Sequence, residues 1–452
     1  MLYFRTEVRK IRFFSIILQA ESKTDMKKQI FVGCLMIAAA AIEVSAQSGT
    51  QSPYSQFGIG VLADPSQSLG HALNGTGIGL RQGNEVNTLN PASYSSVDSL
   101  TMLFDAGVSG QITQFKEGNT RKVSKTANFD YVVGSFRAWR NVGVSFGVLP
   151  LSNVGYSYTT TSTRLSDDYG TLSESYSGEG GLHQAFVGVG TRVTKSLSAG
   201  VNASYLWGSI SRTVVTGGSN NIYSLTKFYD ASVSSYKLDF GVQWEQPLNR
   251  KDVLTIGAIV GVGHTLGGEA SMTIVNSSTG FRGDTISNAF ELPMSYGLGL
   301  SYRHGYNLLV AADVTLQKWG SVKMPADVSG SGGNTIYDKQ SGLLKDRTRL
   351  SAGVDWTPNP VSRSYYNRVH YRIGAGYSTP YYKIKGGDGP KELSVTAGFG
   401  LPIQNSYNNR SVLNISAQWV HTSAKDLITE NSFRINIGLT FNERWFMKWK
   451  VE

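Results

Sequence analysis

The strongest constraint on this chain is a repeating period of two. From Ser99 to Phe441, apolar residues return on one parity over stretches of about ten residues. That is the length a tilted strand needs to cross the hydrocarbon of a bilayer. The clearest stretch sets Leu292, Met294, Tyr296, Leu298, Leu300 and Tyr302 against Pro293, Ser295, Gly297, Gly299, Ser301 and Arg303. The last one sets Phe433, Ile435, Ile437, Leu439 and Phe441 against Arg434, Asn436, Gly438 and Thr440. A helix repeats every 3.6 residues, so these are strand patterns. Fourteen segments carry the alternation, at 99–115, 126–139, 142 onward to Pro150, 182–193, 196–211, 232–246, 253–264, 292–302, 306–317, 345–357, 368–378, 392–401, 411–422 and 433–441. Their connections alternate between long polar stretches (160–181, 212–231, 265–290, 318–345, 379–391) and tight turns (140–141, 194–195, 248–251, 304–305). An even strand number with long loops on one side and short turns on the other predicts an all-β fold, a 14-stranded antiparallel transmembrane β-barrel. Closure leaves no sheet edge, which lipid could not satisfy.

Composition fits that reading. Charged residues are only 16% of the chain, glycine is 51 of 452 residues, and aromatics reach 11%. Beyond residue 46 no run of 18 apolar residues offers a membrane-spanning helix. Residues 1–46 read as an upstream extension followed by a signal peptide. Met26-Lys27-Lys28 is its basic start, 30–42 its apolar run, and Val44-Ser45-Ala46 its small-residue end before Gln47. Export through that signal places the protein in a bacterial outer membrane. The single cysteine, Cys34, lies in the apolar run, so the remainder has neither disulfides nor thiol chemistry. Those 46 residues hold 7 Lys and Arg against 4 Asp and Glu, leaving 35 against 28, or +7. The charges are scattered, and no nucleic-acid partner is expected.

Before the first strand lies 47–98, rich in Gly, Ser and Asn, with no sustained period. A segment of that length without regular structure is uncommon unless it is functional or disordered. A 14-stranded barrel is wider than one whose side chains fill its interior, so this segment is read as an N-terminal hatch inside the barrel at 99–441. Residues 442–452 are read as a periplasmic tail. Gly75-Thr76-Gly77-Ile78-Gly79 lacks the preceding strand and following helix of a nucleotide loop and is read as packing against the wall.

At this point the residues resemble a family, the FadL/TodX outer-membrane transport proteins, in a Bacteroidetes-type form. Asn90-Pro91-Ala92 before the first strand resembles the family's NPA signature, 292–299 its P-x-S-x-G-x-G strand, and Ala312-Asp313-Val314 followed by Trp319 its next strand. The resemblance implies a hatch-gated lumen that passes small hydrophobic molecules through a lateral opening at the third strand. Pro150-Leu151-Ser152-Asn153 breaks the third segment, and a proline cannot donate to a sheet ladder. Asn90, Pro91 and Ala92 are expected at the junction of hatch and barrel. Asp105, Arg192, Lys237, Asp239, Asp313, Arg349 and Arg372 fall on inward positions, kept off lipid, where a midplane charge costs roughly 2–4 kcal/mol. They either line a solvated lumen or clamp the hatch.

The six histidines never fall at metal-ligand spacing. No metal, cofactor or enzymatic activity is expected. Fold does not dictate function, so an alternative stands beside transport: a structural or assembly subunit of an outer-membrane complex, serving secretion or barrel assembly. The partners implied are outer-membrane lipid and either a small hydrophobic ligand or other outer-membrane or periplasmic proteins.

Overall fold

A computed structural model describes residues 49–161, 171–218, 224–276, 280–329, 335–384, 386–403 and 411–443. The signal peptide at 1–46 and nearly all of the tail lie outside them. Among the described residues, fourteen antiparallel strands close into one barrel, each bonded to its neighbours in sequence order. They are β1 (Met102–Glu117), β2 (Thr120–Trp139), β3 (Val142–Thr161), β4 (Leu172–Arg192), β5 (Leu197–Gly218), β6 (Leu225–Pro247) and β7 (Asp252–Gly261). The second half comprises β8 (Ser295–His304), β9 (Leu308–Gln317), β10 (Arg347–Trp356), β11 (His370–Ser378), β12 (Lys391–Ile403), β13 (Ser411–Ser423) and β14 (Thr429–Glu443). Pairing of Phe104 with Phe441 and of Gln111 with Arg434 joins β1 to β14 and completes the ring.

The barrel is apolar outside and polar inside. Leu298 is 59% exposed, Ile373 57% and Phe240 48%, whereas Asp105, Gln243 and Thr396 are buried. Period-two alternation produces this directly, because successive side chains leave a strand on opposite faces. The apolar parity faces hydrocarbon and the polar parity faces the lumen.

Three sequence expectations change. β3 to β6 run for 20 to 23 residues, about twice what a membrane crossing needs. Much of 160–181 and 212–231, expected as loop, therefore continues as strand beyond the membrane. No lipid lies there to impose an apolar parity, so the period fades while the ladder persists. A hairpin of Gly268–Asn276 and Gly280–Ser287 extends this raised wall by pairing with the start of β6. The short-turn end also has one long connection, Thr357 to Val369 between β10 and β11, while the opposite end has a two-residue turn between Glu117 and Thr120. β14 runs to Glu443, so the expected tail begins two residues later than 442.

Above the membrane the interior is a conventional apolar core. Ile59, Val154, Leu182, Leu206, Leu266, Met272, Trp319 and Tyr381 are among its buried members, drawn from strands and from the loops that fold over them.

Candidate functional site

The residues before β1 thread the barrel interior. Their secondary structure is brief, because Gly and Ser supply little apolar surface for a longer element to bury. A 3-10 turn at Pro53–Gln56 is capped by Ser52, whose Oγ accepts from Tyr54 N. A two-residue strand at Val61–Leu62, a five-residue helix at Ser68–Ala72 and a second 3-10 turn at Pro91–Ser96 follow. Asn90 caps that last turn, its Oδ1 accepting from Ala92 N. Asn74 and Leu100 adopt left-handed φ of 57° and 62° at sharp changes of direction.

The segment is held by the wall in two ways. On the β9–β12 side the distinctive ties are charged, although Gly353 and Gly374 also leave room there for Leu73 and Asn74. The Asp313 carboxylate on β9 accepts from Gly77 N at 2.6 Å and from Ile78 N at 2.8 Å. The glycine run thus offers its backbone donors to a carboxylate of the same chain, and a phosphate cradle is excluded. Arg349 on β10 donates to Asp64 Oδ2 at 2.9 Å and to Asn74 O at 3.1 Å. Burial pushes the Asp64 carboxyl up, but Arg349 beside it prevails and holds it well below the usual carboxylate range. Arg372 on β11, its side chain fully buried, lies 3.2 Å from Glu85 and 3.0 Å from Asp355 and also donates to Asn414. Asn74 Nδ2 donates to Ser394 Oγ on β12 at 2.9 Å.

On the β3–β7 side the ties are mainly steric and backbone-directed, with Arg81 and Glu245, 3.6 Å apart, as the charged pair. Gly143, Gly190, Gly200, Gly241 and Gly257 sit on five consecutive strands. A Cβ added to any of them would come within 3.0 Å of Tyr94, Pro91, Asn90 or Ile78. The missing side chains let the chain lie backbone against wall, an approach only glycine permits. Asn90, fully buried, donates to Ile78 O at 2.9 Å and Val242 O at 3.1 Å, and Gln243 Nε2 donates to Ile78 O and Leu80 O. Tyr94 donates to Asn202 at 3.0 Å.

The anticipated polar residues therefore divide. Asp313, Arg349 and Arg372 meet the segment, as does Asp105, which accepts from Ser68 at 2.8 Å and Tyr131 at 3.1 Å. Lys237 and Asp239 pair with each other along β6, and Arg192 is exposed at the end of β4. Asn90-Pro91-Ala92, expected at the junction of hatch and barrel, packs on β4, β5 and β6. Glu85, Asp64 and the wall glycines were not singled out from sequence. Glu85 and Asp64 carry no periodic signal, and glycine on an inward parity looks the same whether or not a backbone lies against it.

At the third strand the wall has a seam. The β2–β3 ladder runs from Trp139 and Val142 to Val132 and Val148 and stops. Beyond it β2 stays paired to β1, and β3 to β4, with a register shift between Pro150 and Ser152. Val61 and Leu62 pair with Asn153 and Ser152 at this gap, and Ala63 N donates to Leu151 O at 3.0 Å. Ser55 Oγ meets both the N–H and the carbonyl of Gly155 at 3.0 Å. The four residues Pro150 to Asn153 thus lie where the N-terminal segment joins the wall.

A triad-like contact exists elsewhere. His370 meets Thr357 at 2.9 Å and Asp355 at 3.0 Å, but both contacts fall on Nδ1, so the ring cannot relay a proton between them. No cluster of metal-binding side chains occurs among the described residues.

A family model described as BamG matches residues 26–452. No protein of curated function matches the chain. Solved structures that resemble it include the toluene transporter TbuX of Ralstonia pickettii, at TM-score 0.58 and 14% identity over 84% of this chain and 98% of that one. The Pseudomonas putida toluene transporter TodX matches at TM-score 0.56 and 16% identity over 86% and 100%. A Pseudomonas aeruginosa FadL homologue matches at TM-score 0.56 and 11% identity over 84% and 99%. These likenesses establish the FadL-type barrel fold.

Proposed function

The chain belongs to the BamG family, and from that premise we propose that it is an outer-membrane assembly subunit, a FadL-type barrel that serves a protein complex rather than a flow of solute. The observation that carries this reading is the backbone packing of the N-terminal segment on wall glycines of β3 to β7. Passage through the lumen requires that segment to move, and moving it separates backbone from glycine on five strands while breaking the buried ties of Asp313, Arg349 and Arg372. An unpaired buried charge is costly, about 3–5 kcal/mol when one partner of a buried pair is removed. The apolar core above the membrane closes the other end with packed side chains. In this reading the segment is a hatch in position but a structural strut in role, bracing a barrel whose outer surface and rims meet other proteins. The family name points the same way, toward a complex of outer-membrane or periplasmic proteins.

One observation favours the second reading, uptake of a small hydrophobic molecule. The seam between β2 and β3 at Pro150 to Asn153 is a break in the wall, and several barrels of this fold are named for hydrocarbon or toluene transport. There Val61–Leu62 would act as the gate.

Purification in mild detergent followed by mass spectrometry separates the two. Stoichiometric protein partners support the assembly subunit. A solitary barrel that, in liposomes, admits toluene in a manner abolished by oxidising the double variant L62C/S152C overturns it.

A further inference from the structure

The arginines of the interior fall into two groups. Arg349 and Arg372 are matched by carboxylates. At the short-turn end of the barrel the match fails. Arg137 on β2, Arg192 on β4 and Arg303 on β8 stand opposite Gly143, Ser198 and Val253 in their ladders, all at strand ends of that rim. Two residues before them on the same parity are Ser135, Gly190 and Ser301, which are buried inside the barrel, so the three guanidinium groups belong to the lumen mouth and not to the lipid face. Above them Arg81 of the N-terminal segment is nearly buried, bonded to Ala92 O, Gln243 and Ser95, with Glu245 3.6 Å away. The three rim arginines all bear on Arg81 with like charge, and Asp98 bears on Arg137. Among the described residues, Glu245 bears on Arg81 and Asp98 on Arg137 as the opposing carboxylates. Among the described residues none of the three rim arginines makes a side-chain hydrogen bond or ion pair. Like charges gathered at a low-dielectric wall focus a positive potential into the opening.

We propose that this mouth is the docking site for an acidic segment of a periplasmic protein partner, with Arg137, Arg192 and Arg303 as its cationic contacts. The proposal rests on the assembly reading above and names the chemistry of one partner. Lipid headgroups are disfavoured, because the wall stands between these inward side chains and the bilayer. A single small anion is disfavoured by spread. β2 and β8 are six strand spacings apart along the wall, at about 4.8 Å each, so several carboxylates on one chain fit the arrangement better than one phosphate. Arginine suits the role, since its planar fork binds carboxylates in bidentate fashion.

The test uses the full-length protein in detergent and a fluorescent ten-residue peptide of alternating Glu and Gly, with a Ser-Gly peptide as reference. Anisotropy at low and high salt is compared for the wild type, for R137Q/R192Q/R303Q, and for K318Q/K345Q at the opposite end. Retained barrel mobility on unheated gels shows that the variants fold. The expected result is salt-sensitive binding of the acidic peptide by the wild type, weakened at least tenfold in the triple variant and unchanged in the double. Equal binding of the two peptides, or an unaffected triple variant, overturns the proposal. So does binding of inorganic phosphate or of phosphatidylglycerol vesicles at this site when the peptide does not bind. Co-purification of partners is scored in parallel. If partners remain with the wild type while the peptide fails, this docking site is wrong and the assembly role stands. If no partner purifies with the wild type, the assembly role itself fails, whatever the peptide does.

Discussion

The N-terminal segment is held differently on its two sides. Toward β9–β12 charge ties it, through Asp313, Arg349 and Arg372, beside a smaller glycine contact of Gly353 and Gly374 with Leu73 and Asn74. Toward β3–β7 it is tied mainly by shape, with glycines allowing backbone to lie against wall and one ion pair, Arg81 with Glu245 on β6. A charged tie resides in one or two atoms and is lost with one side chain. A shape tie is spread over five strands and is broken only by adding atoms. The charged side therefore sets where the segment sits along the barrel, and the glycine side keeps a long surface in van der Waals contact. Close-packed interiors respond to a change of even one methylene.

The largest expected effect comes from attacking the shape side. G143V/G200V places side chains where Tyr94 O and the Pro91–Ala92 backbone already lie, and none of these atoms belongs to a flexible side-chain end. Refolding yield, read as heat-modifiable gel mobility, should fall close to zero, while G110A, with nothing near its added Cβ, should fold as the wild type does. If the double variant folds normally, the segment is not packed as described.

Attacking the charged side should cost less but act locally. R372M leaves Glu85 and Asp355 buried without their cation, a loss of about 3–5 kcal/mol. Adding E85Q and D355N should recover part of it, read from urea midpoints. D313A orphans the donors of Gly77 and Ile78 at about 1–3 kcal/mol each. It should raise amide exchange across 75–80 while leaving 90–96, on the glycine side, protected. Uniform loosening of both stretches would erase the distinction between the sides.

The smallest effect is one of pH. Asp64 has a depressed carboxyl, so its tie to Arg349 is stabilising above the ordinary carboxylate value of about 4 and fades only as pH falls toward the lower, folded value. Exchange at Asn74 and Gly75 should be flat from pH 8 to 5, once corrected for intrinsic rates, and should rise in stronger acid. R349M should remove the acid dependence.

How far the sequence reached depends on range. Each of the fourteen strands was legible because alternation is local, with lipid on one side and lumen on the other writing opposite chemistries onto adjacent residues. Pro150 marked a break because proline lacks the donor a ladder needs, whatever surrounds it. The raised wall of β3 to β6 was not legible, since above the membrane no lipid enforces the alternation and Tyr176 or Thr213 looks like loop. Nor was the path of the N-terminal segment. That Asp313 receives Gly77 and Ile78, or that Gly257 backs Ile78, depends on residues some 180 to 240 positions apart. Alternation thus settles the barrel, while the contents of its lumen depend on which inward polar group and which bare glycine closure brings opposite residues 49–101.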